Sequence, residues 1–316
     1  MLNLTDKMPI ITIITPSLNR AEFIEEAIKS VLNQGYPHIE HLIMDGGSTD
    51  STIDVLAQYS HLRVVIEPDE GLYDAMNKGI MLANGEILGF LNTDDFYEPN
   101  VFQSVIKQFQ MDLETSAVVG NARVFIDDPT KGRRTYTTDP AIHPGELLYR
   151  STRGASIFNA WFFRKSIFNR LGVFNTHYQY SADRDFLIRM ALCNTTYADI
   201  PNLLYHYRSH LGSLTFQLKD YSETDMMIEL LALNENYLNT LDVNDPARKM
   251  FLVWHSQITS DHAITALKRR ALDRANAYLR LGKKYNPAWS LIFVERLVYR
   301  GVGFVRRRIN SNFVAK

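Results

Sequence analysis

Four short apolar runs punctuate the first hundred residues, and each ends in a polar cluster. They are IITIIT at 10–15, HLIM at 41–44, residues 63–66 and Ile87–Leu91. Runs this short, rich in β-branched residues and bounded by glycine or polar turns, read as buried strands. Segments with helical spacing separate them. In AEFIEEAIKSVLNQ the apolar positions are Phe23, Ile24, Ala27, Ile28, Val31 and Leu32, and the segment stops near Gly35 and Pro37. TIDVLAQYS, preceded by Asp50 and Ser51 as candidate caps, and the stretch after EPDEG predict two more helices. Strand and helix in alternation predict an α/β fold with a mostly parallel sheet and helices on both faces.

Such sheets bind ligands at the carboxyl ends of their strands. The polar clusters fall there: Pro16 to Arg20, Asp45 to Asp50, Glu67 to Asp74 and Asn92 to Asp95. The last cluster puts two adjacent carboxylates, Asp94 and Asp95, at the end of a buried strand. Like charges this close repel, and a bound cation relieves the repulsion. Mg²⁺ or Mn²⁺ suits oxygen ligands and leaves positions open for phosphate oxygens. The competing reading is a loop whose carboxylates face water or cap the next turn. No GxGxxG follows the first strand and no GxxxxGK[ST] occurs anywhere, so neither glycine-based phosphate cradle is present.

A net charge of -1 points to no nucleic-acid partner. The single cysteine, Cys193, excludes an internal disulfide and a cysteine-based zinc cluster. No run reaches the roughly 18 apolar residues that a spanning helix needs. MLNLTDKMPI has neither a basic region nor a long apolar segment, so a cytoplasmic location is expected.

TIITPSLNR, LIMDGGSTDST, EPDEGLYDAMNKGI and GEILGFLNTDD, in this order, resemble the nucleotide-sugar half of a family 2 glycosyltransferase with the GT-A fold. The likeness runs from residue 9 to about 215 and is strongest to bacterial enzymes that extend O-antigen, capsule or exopolysaccharide units. The resemblance implies that Pro16 and Ser17, with Asn19 in the same turn, line a nucleoside pocket. Leu18 stands where the family often has an aromatic residue. Asp45 matches the carboxylate that accepts the imino N–H of uracil, and Gly46 replaces a second aspartate common in the family. Lys78 matches a basic position near the nucleotide. Asn92, Thr93 and Asp94 occupy the DXD position, with Asn92 toward ribose, Asp94 on the metal and Asp95 as second ligand or orienter.

The second half continues the likeness in an aromatic strand around Trp161 to Phe163, the turn RLGVFN and the helix start SADRDFLIRM. The family's catalytic base falls on Asp183, which also suits a helix cap. Asp185 has Arg189 four residues on, at ion-pair spacing. Residues 133–150 read as mixed and turn-rich on the acceptor side. Residues 198–215 look like a closing segment after the last strand, with Arg208 toward the diphosphate and His210 as a third metal ligand.

From residue 219 glycine nearly vanishes and helical spacing dominates. The expected organisation is therefore 1–100, a nucleotide-sugar half; 101–218, an acceptor and base half; and 219–316, a helical extension. The last stretch, PAWSLIFVERLVYRGVGFVRRRINSNF, reads as a basic amphipathic tail that either contacts a membrane surface or docks on the protein. The expected activity is inverting, metal-dependent transfer from a UDP-sugar to a glycan acceptor carried on polyprenyl diphosphate. The site is expected at the inner face of the cell membrane. The alternative is a non-catalytic nucleotide-sugar-binding scaffold.

Overall fold

The structure is a computed structural model that describes residues 8–128, 130–139, 147–153, 157–210 and 225–298. The chain forms two compact units, Met1–Leu218 and Lys219–Lys316.

In the first unit the alternation expected from the sequence builds β1 (Ile11–Ser17), α1 (Ile24–Leu32), β2 (Ile39–Asp45), α2 (Thr52–Leu56), β3 (Leu62–Ile66), α3 (Leu72–Leu82) and β4 (Ile87–Phe90). A short β5 (Phe96–Tyr97), α4 (Val101–Met111), β6 (Ala117–Asp128), β7 (Gly132–Asp139) and α5 (Leu147–Arg153) follow. After β8 (Trp161–Arg164) come α6 (Ser166–Leu171), α7 (Ala182–Leu192) and β9 (Tyr197–Arg208).

Among the described residues one sheet collects all nine strands, in the order β3-β2-β1-β4-β8-β6-β9-β5, with β7 paired to β6. The run β3-β2-β1-β4 is parallel. β8 enters antiparallel between β4 and β6, while β6 and β9 run parallel. On one face Ile11 and Ile13 join α4 through Phe102, Val105 and Phe109. On the other, α3 lies close to the sheet at Gly79, where a Cβ would stand 2.5 Å from Cγ2 of Ile14. That close approach fixes the start of α3, and Tyr73 on it, at the strand ends.

Two expectations change. Within the stretch 133–150, expected to be mixed and turn-rich, Gly132–Asp139 pairs antiparallel with β6 and Leu147–Arg153 is helical; 140–146 lie outside the described residues. The alternation in RRTYTTD carries threonine and arginine instead of apolar residues, so hydrophobic period did not reveal the strand. Residues 197–208 do not follow the last strand; they are that strand. Pro201 and Asn202 sit where the β6–β9 register shifts, and this bulge interrupts the strand pattern in the sequence.

The second unit holds α8 (Asp225–Thr240), α9 (Arg248–Lys268), α10 (Leu272–Tyr285) and a further helical stretch over 289–298. Trp289 is buried and its indole N–H donates to Oγ1 of Thr259 on α9 at 2.8 Å. Arg296 pairs with Asp261 on the same helix, Nε to Oδ1 at 3.1 Å. The inner side of 289–298 is thus docked, as one of the two readings of the tail requires. Residues 299–316, with the rest of the expected basic tail, lie outside the described residues. No described helix is long and apolar enough to cross a membrane.

Candidate active site

β1 and β2 end side by side, with Ser17 opposite Asp45. The loops that follow are stapled together. Asn19, at φ 53°, accepts from the backbone N–H of Thr49 at 2.8 Å, and its own N–H donates to Oγ of Ser48 at 2.8 Å. Arg20 N–H donates to Oγ1 of Thr52, and Ala21 N–H to Oδ2 of Asp50. The buried carboxylate of Asp45 accepts from the N–H groups of Gly47 and Ser48 and from Oγ of Ser48. Pro16 and Ser17 are buried beside it, and the Ser17 hydroxyl has no hydrogen-bond partner. A buried hydroxyl left unpaired is costly, and a bound polar group satisfies it.

A Cβ on Gly46 would stand 2.5 Å from Oδ2 of Asp69. The glycine at this position makes room for the Asp69 carboxylate, which the sequence reading passed over. Lys78 sits in a brace: its ammonium donates to the Pro68 carbonyl at 2.7 Å and pairs with Glu67 and Asp74. It steadies the turn between β3 and α3.

The Asn92–Asp95 loop joins β4 to β5 and is held from β9. Asp95 is buried, and donors reach both of its oxygens. Tyr205 gives its hydroxyl to Oδ2 at 2.6 Å, the Arg208 N–H reaches Oδ1 at 2.7 Å, and the Asn92 amide lies 3.3 Å from Oδ2. Burial, with Asp94 next to it, pushes the Asp95 carboxyl well above its ordinary value against the pull of these donors. Both Asp95 oxygens are thus engaged by donors from β9 and from its own loop.

Arg208 differs from expectation. Its Nε donates to the Asp94 carbonyl at 2.8 Å, and its terminal nitrogens pair with Glu26 and Asp127. The guanidinium thereby ties the loop to α1 and β6. Thr93 is buried within the same loop. Asn92 Oδ1 is buried without a partner.

Asp94 is what this framework presents. Its Oδ2 lies 2.9 Å from Nε2 of His210, and both side chains keep some exposure. His210 rests on the Phe23 ring, with centroids 5.1 Å apart.

Asp183 stands in the first turn of α7. Burial raises its carboxyl, while the neighbouring Arg184 and a hydrogen bond from Tyr73 pull it back down. Tyr73 was missed in the sequence because it reads as one more position on an amphipathic helix. Ser181 N-caps α7 by position, so the cap reading of Asp183 is not what the structure shows. Asp185 pairs with Arg189 at 2.9 Å, as the spacing predicts.

The description glycosyl transferase family 2 matches residues 12–172. A putative glycosyltransferase EpsH of Bacillus subtilis is 26% identical over 79% of this chain and 76% of its own. A PGL/p-HBAD biosynthesis glycosyltransferase of Mycobacterium tuberculosis is 31% identical over 57% of this chain and 69% of its own. Among solved structures, S. aureus TarS 1-349 in complex with UDP-GlcNAc superposes with a TM-score of 0.63 at 14% identity, covering 90% of this chain and 83% of that one. The mannosyltransferase PcManGT of Pyrobaculum calidifontis, in complex with GDP-Man and Mn²⁺, gives 0.57 at 17% identity, covering 93% and 81%.

Proposed function

The chain belongs to glycosyl transferase family 2 and has the GT-A fold, and from that premise we propose that it moves a sugar from UDP to a hydroxyl of a glycan acceptor with inversion at the anomeric carbon. The observation that carries the reading is the pair 2.9 Å apart formed by Asp94, on the loop after β4, and His210, just after β9. One carboxylate and one imidazole fit Mn²⁺ better than Mg²⁺. In this reading phosphate oxygens of the donor complete the coordination. When bound there, a divalent cation supplies charge neutralisation for the departing diphosphate.

In this reading Asp45 and Ser17 hold the nucleoside, and the orphaned Oδ1 of Asn92 accepts from a ribose hydroxyl. Asp183 takes the proton of the acceptor hydroxyl as the new C–O bond forms and the bond to the diphosphate breaks on the opposite face. A carboxyl raised by burial is the stronger base, and the hydrogen bond from Tyr73 aims it. The acceptor is a growing surface glycan on polyprenyl diphosphate, met at the inner face of the cell membrane.

The test is UDP release from a panel of UDP-sugars in Mn²⁺ without acceptor. One donor is hydrolysed slowly by the wild type and not by Asp94→Ala. If calorimetry finds that no UDP-sugar binds, the nucleotide assignment is wrong.

A further inference from the structure

We propose that Asn77 is a positioning residue for Asp183: with Arg189 it makes the turn 171–174 a bracket between α3 and α7 that keeps Tyr73 on the Asp183 carboxylate. The inference rests on the role proposed above for Asp183.

The first observation is the pair of bonds that Asn77 makes. Its side-chain amide donates to the Phe174 carbonyl at 2.9 Å, and its Oδ1 accepts from the Phe174 backbone N–H at 2.9 Å. One side chain thus takes both backbone groups of a residue 97 positions away, as a neighbouring strand would. Asparagine is a poor helix former, and the paired bonds offset its cost in the interior of α3.

The second observation is that the same turn is held from α7. Arg189 donates through Nη1 to the carbonyls of Leu171 at 2.6 Å and Gly172 at 3.3 Å, and through Nη2 to that of Val173 at 2.9 Å. Its Nε donates to Oδ2 of Asp185 at 2.9 Å. Every carbonyl from Leu171 to Phe174 therefore accepts from Arg189 or Asn77, and the turn has little freedom to shift against either helix.

The third observation is where the bracket stands. Tyr73 lies four residues before Asn77, so both side chains leave α3 on one face. The buried Tyr73 ring packs on the buried Phe174 ring, with centroids 5.5 Å apart, and its hydroxyl bonds to Asp183. The contacts close a ring. It runs from Tyr73 to Asp183, along α7 to Arg189, across the turn to Asn77 and one helical turn back to Tyr73. A base misplaced by about 1 Å costs on the order of 100-fold in rate. A clasp that served stability alone has no need to pass through the base, and this one does.

The test uses the full chain with UDP-glucose, UDP-galactose and UDP-N-acetylglucosamine in Mn²⁺, water being the acceptor. Carbon NMR of protein with isotope-labelled aspartate follows the Asp183 carboxyl, assigned by its absence in Asp183→Asn. Asn77→Ala is expected to lower UDP release on the order of 10- to 100-fold and to leave the calorimetric affinity for UDP at the wild-type value. Its Asp183 carboxyl is expected to titrate at higher pH than in the wild type, because the Tyr73 bond that favours the ionised form is loosened. In the Tyr73→Phe background the same substitution moves the titration no further, since that bond is already gone. Arg184, the charge beside Asp183, is common to all these proteins and drops out of the comparison. Where Asn77→Ala does not fold by circular dichroism, Asn77→Ser supplies the same readings.

A lower urea midpoint with unchanged titration and unchanged UDP release makes Asn77 a structural clasp and overturns the proposal. A titration at lower pH, the sign expected if the site merely opens to water, overturns it too. So does a loss of UDP affinity that accounts for the whole fall in rate, or a further shift in the Tyr73→Phe background. A wild type that hydrolyses no UDP-sugar, with the titration still raised in Asn77→Ala, leaves the bracket standing and removes the proposed activity.

Discussion

Tyr205 donates its hydroxyl hydrogen to Oδ2 of Asp95 at 2.6 Å, and this bond ties the strand that completes the sheet to the loop that presents Asp94. Tyr205→Phe removes the hydrogen bond to the buried Asp95 carboxyl and the one that the Asn92 backbone N–H donates to the same hydroxyl at 3.3 Å, and leaves the ring in place. The expected cost is about 1.5–3 kcal/mol, read as a lower urea midpoint. The Mn²⁺ concentration for half-maximal UDP release rises several-fold, while the rate at saturating Mn²⁺ changes little.

Asp94 and His210 are separable by metal preference. Chelation is expected to abolish UDP release and Mn²⁺ to restore it. Asp94→Ala is inactive with any cation. His210→Gln exchanges an imidazole for an amide oxygen, so activity in Mn²⁺ falls and the ratio of Mg²⁺- to Mn²⁺-supported rates rises.

The acid limb of the pH–rate profile reports Asp183. Because burial raises this carboxyl, the limb is expected above the ordinary aspartate range, with activity lost as the pH falls through it. Tyr73 and Arg184 both favour the ionised form. Tyr73→Phe and Arg184→Met should each move the limb to higher pH. Asp183→Asn lowers transfer on the order of 100- to 10,000-fold and leaves UDP affinity, measured by calorimetry, unchanged.

An aspartate at Gly46, common at this position in the family, would have to displace the Asp69 carboxylate. Its Cβ would meet Oδ2 of Asp69 at 2.5 Å, and a second carboxylate would add repulsion. Gly46→Asp is expected to cost about 1–3 kcal/mol in thermal unfolding and to weaken UDP binding. Asp69→Ala in the same chain should recover most of the stability.

His41 makes stability depend on pH far from the cleft. It is buried in β2 with Nε2 3.0 Å from Oγ1 of Thr15, and burial lowers its pKa from 6.5 to about 3. Between these values the unfolded chain binds the proton and the folded protein does not. The contribution is therefore complete above pH 6.5 and is lost as the pH falls toward 3, with a total on the order of a few kcal/mol. Urea midpoints from pH 7 to 5 should fall in the wild type and flatten in His41→Gln.

The parallel half of the sheet was readable because its strands are apolar on both faces and bounded by polar turns. β7 was not, because threonine and arginine take the alternating positions that apolar residues usually hold. β9 was not, because its bulge breaks the period. At the site, the sequence listed which polar residues end the strands but not which of them face one another. Arg208 reads as a free cation until Glu26 and Asp127 are brought to it from α1 and β6. Asp95 reads as a bare carboxylate until Tyr205 arrives. Such partners lie far away in the chain, where periodicity carries no information.

That separation has a consequence in time. Asp95 and Tyr205 are 110 residues apart in the chain, and the Arg208–Glu26 pair spans 182. During synthesis at about 5–20 residues per second, the loop that holds Asp94 waits on the order of ten seconds for the strand that fastens it. The nucleotide-side strands can pair before then, but the loop between β4 and β5 cannot be finished. A nascent chain stopped short of β9 carries every motif by which the family is recognised in its first hundred residues, and its Asp94 loop is not yet fastened.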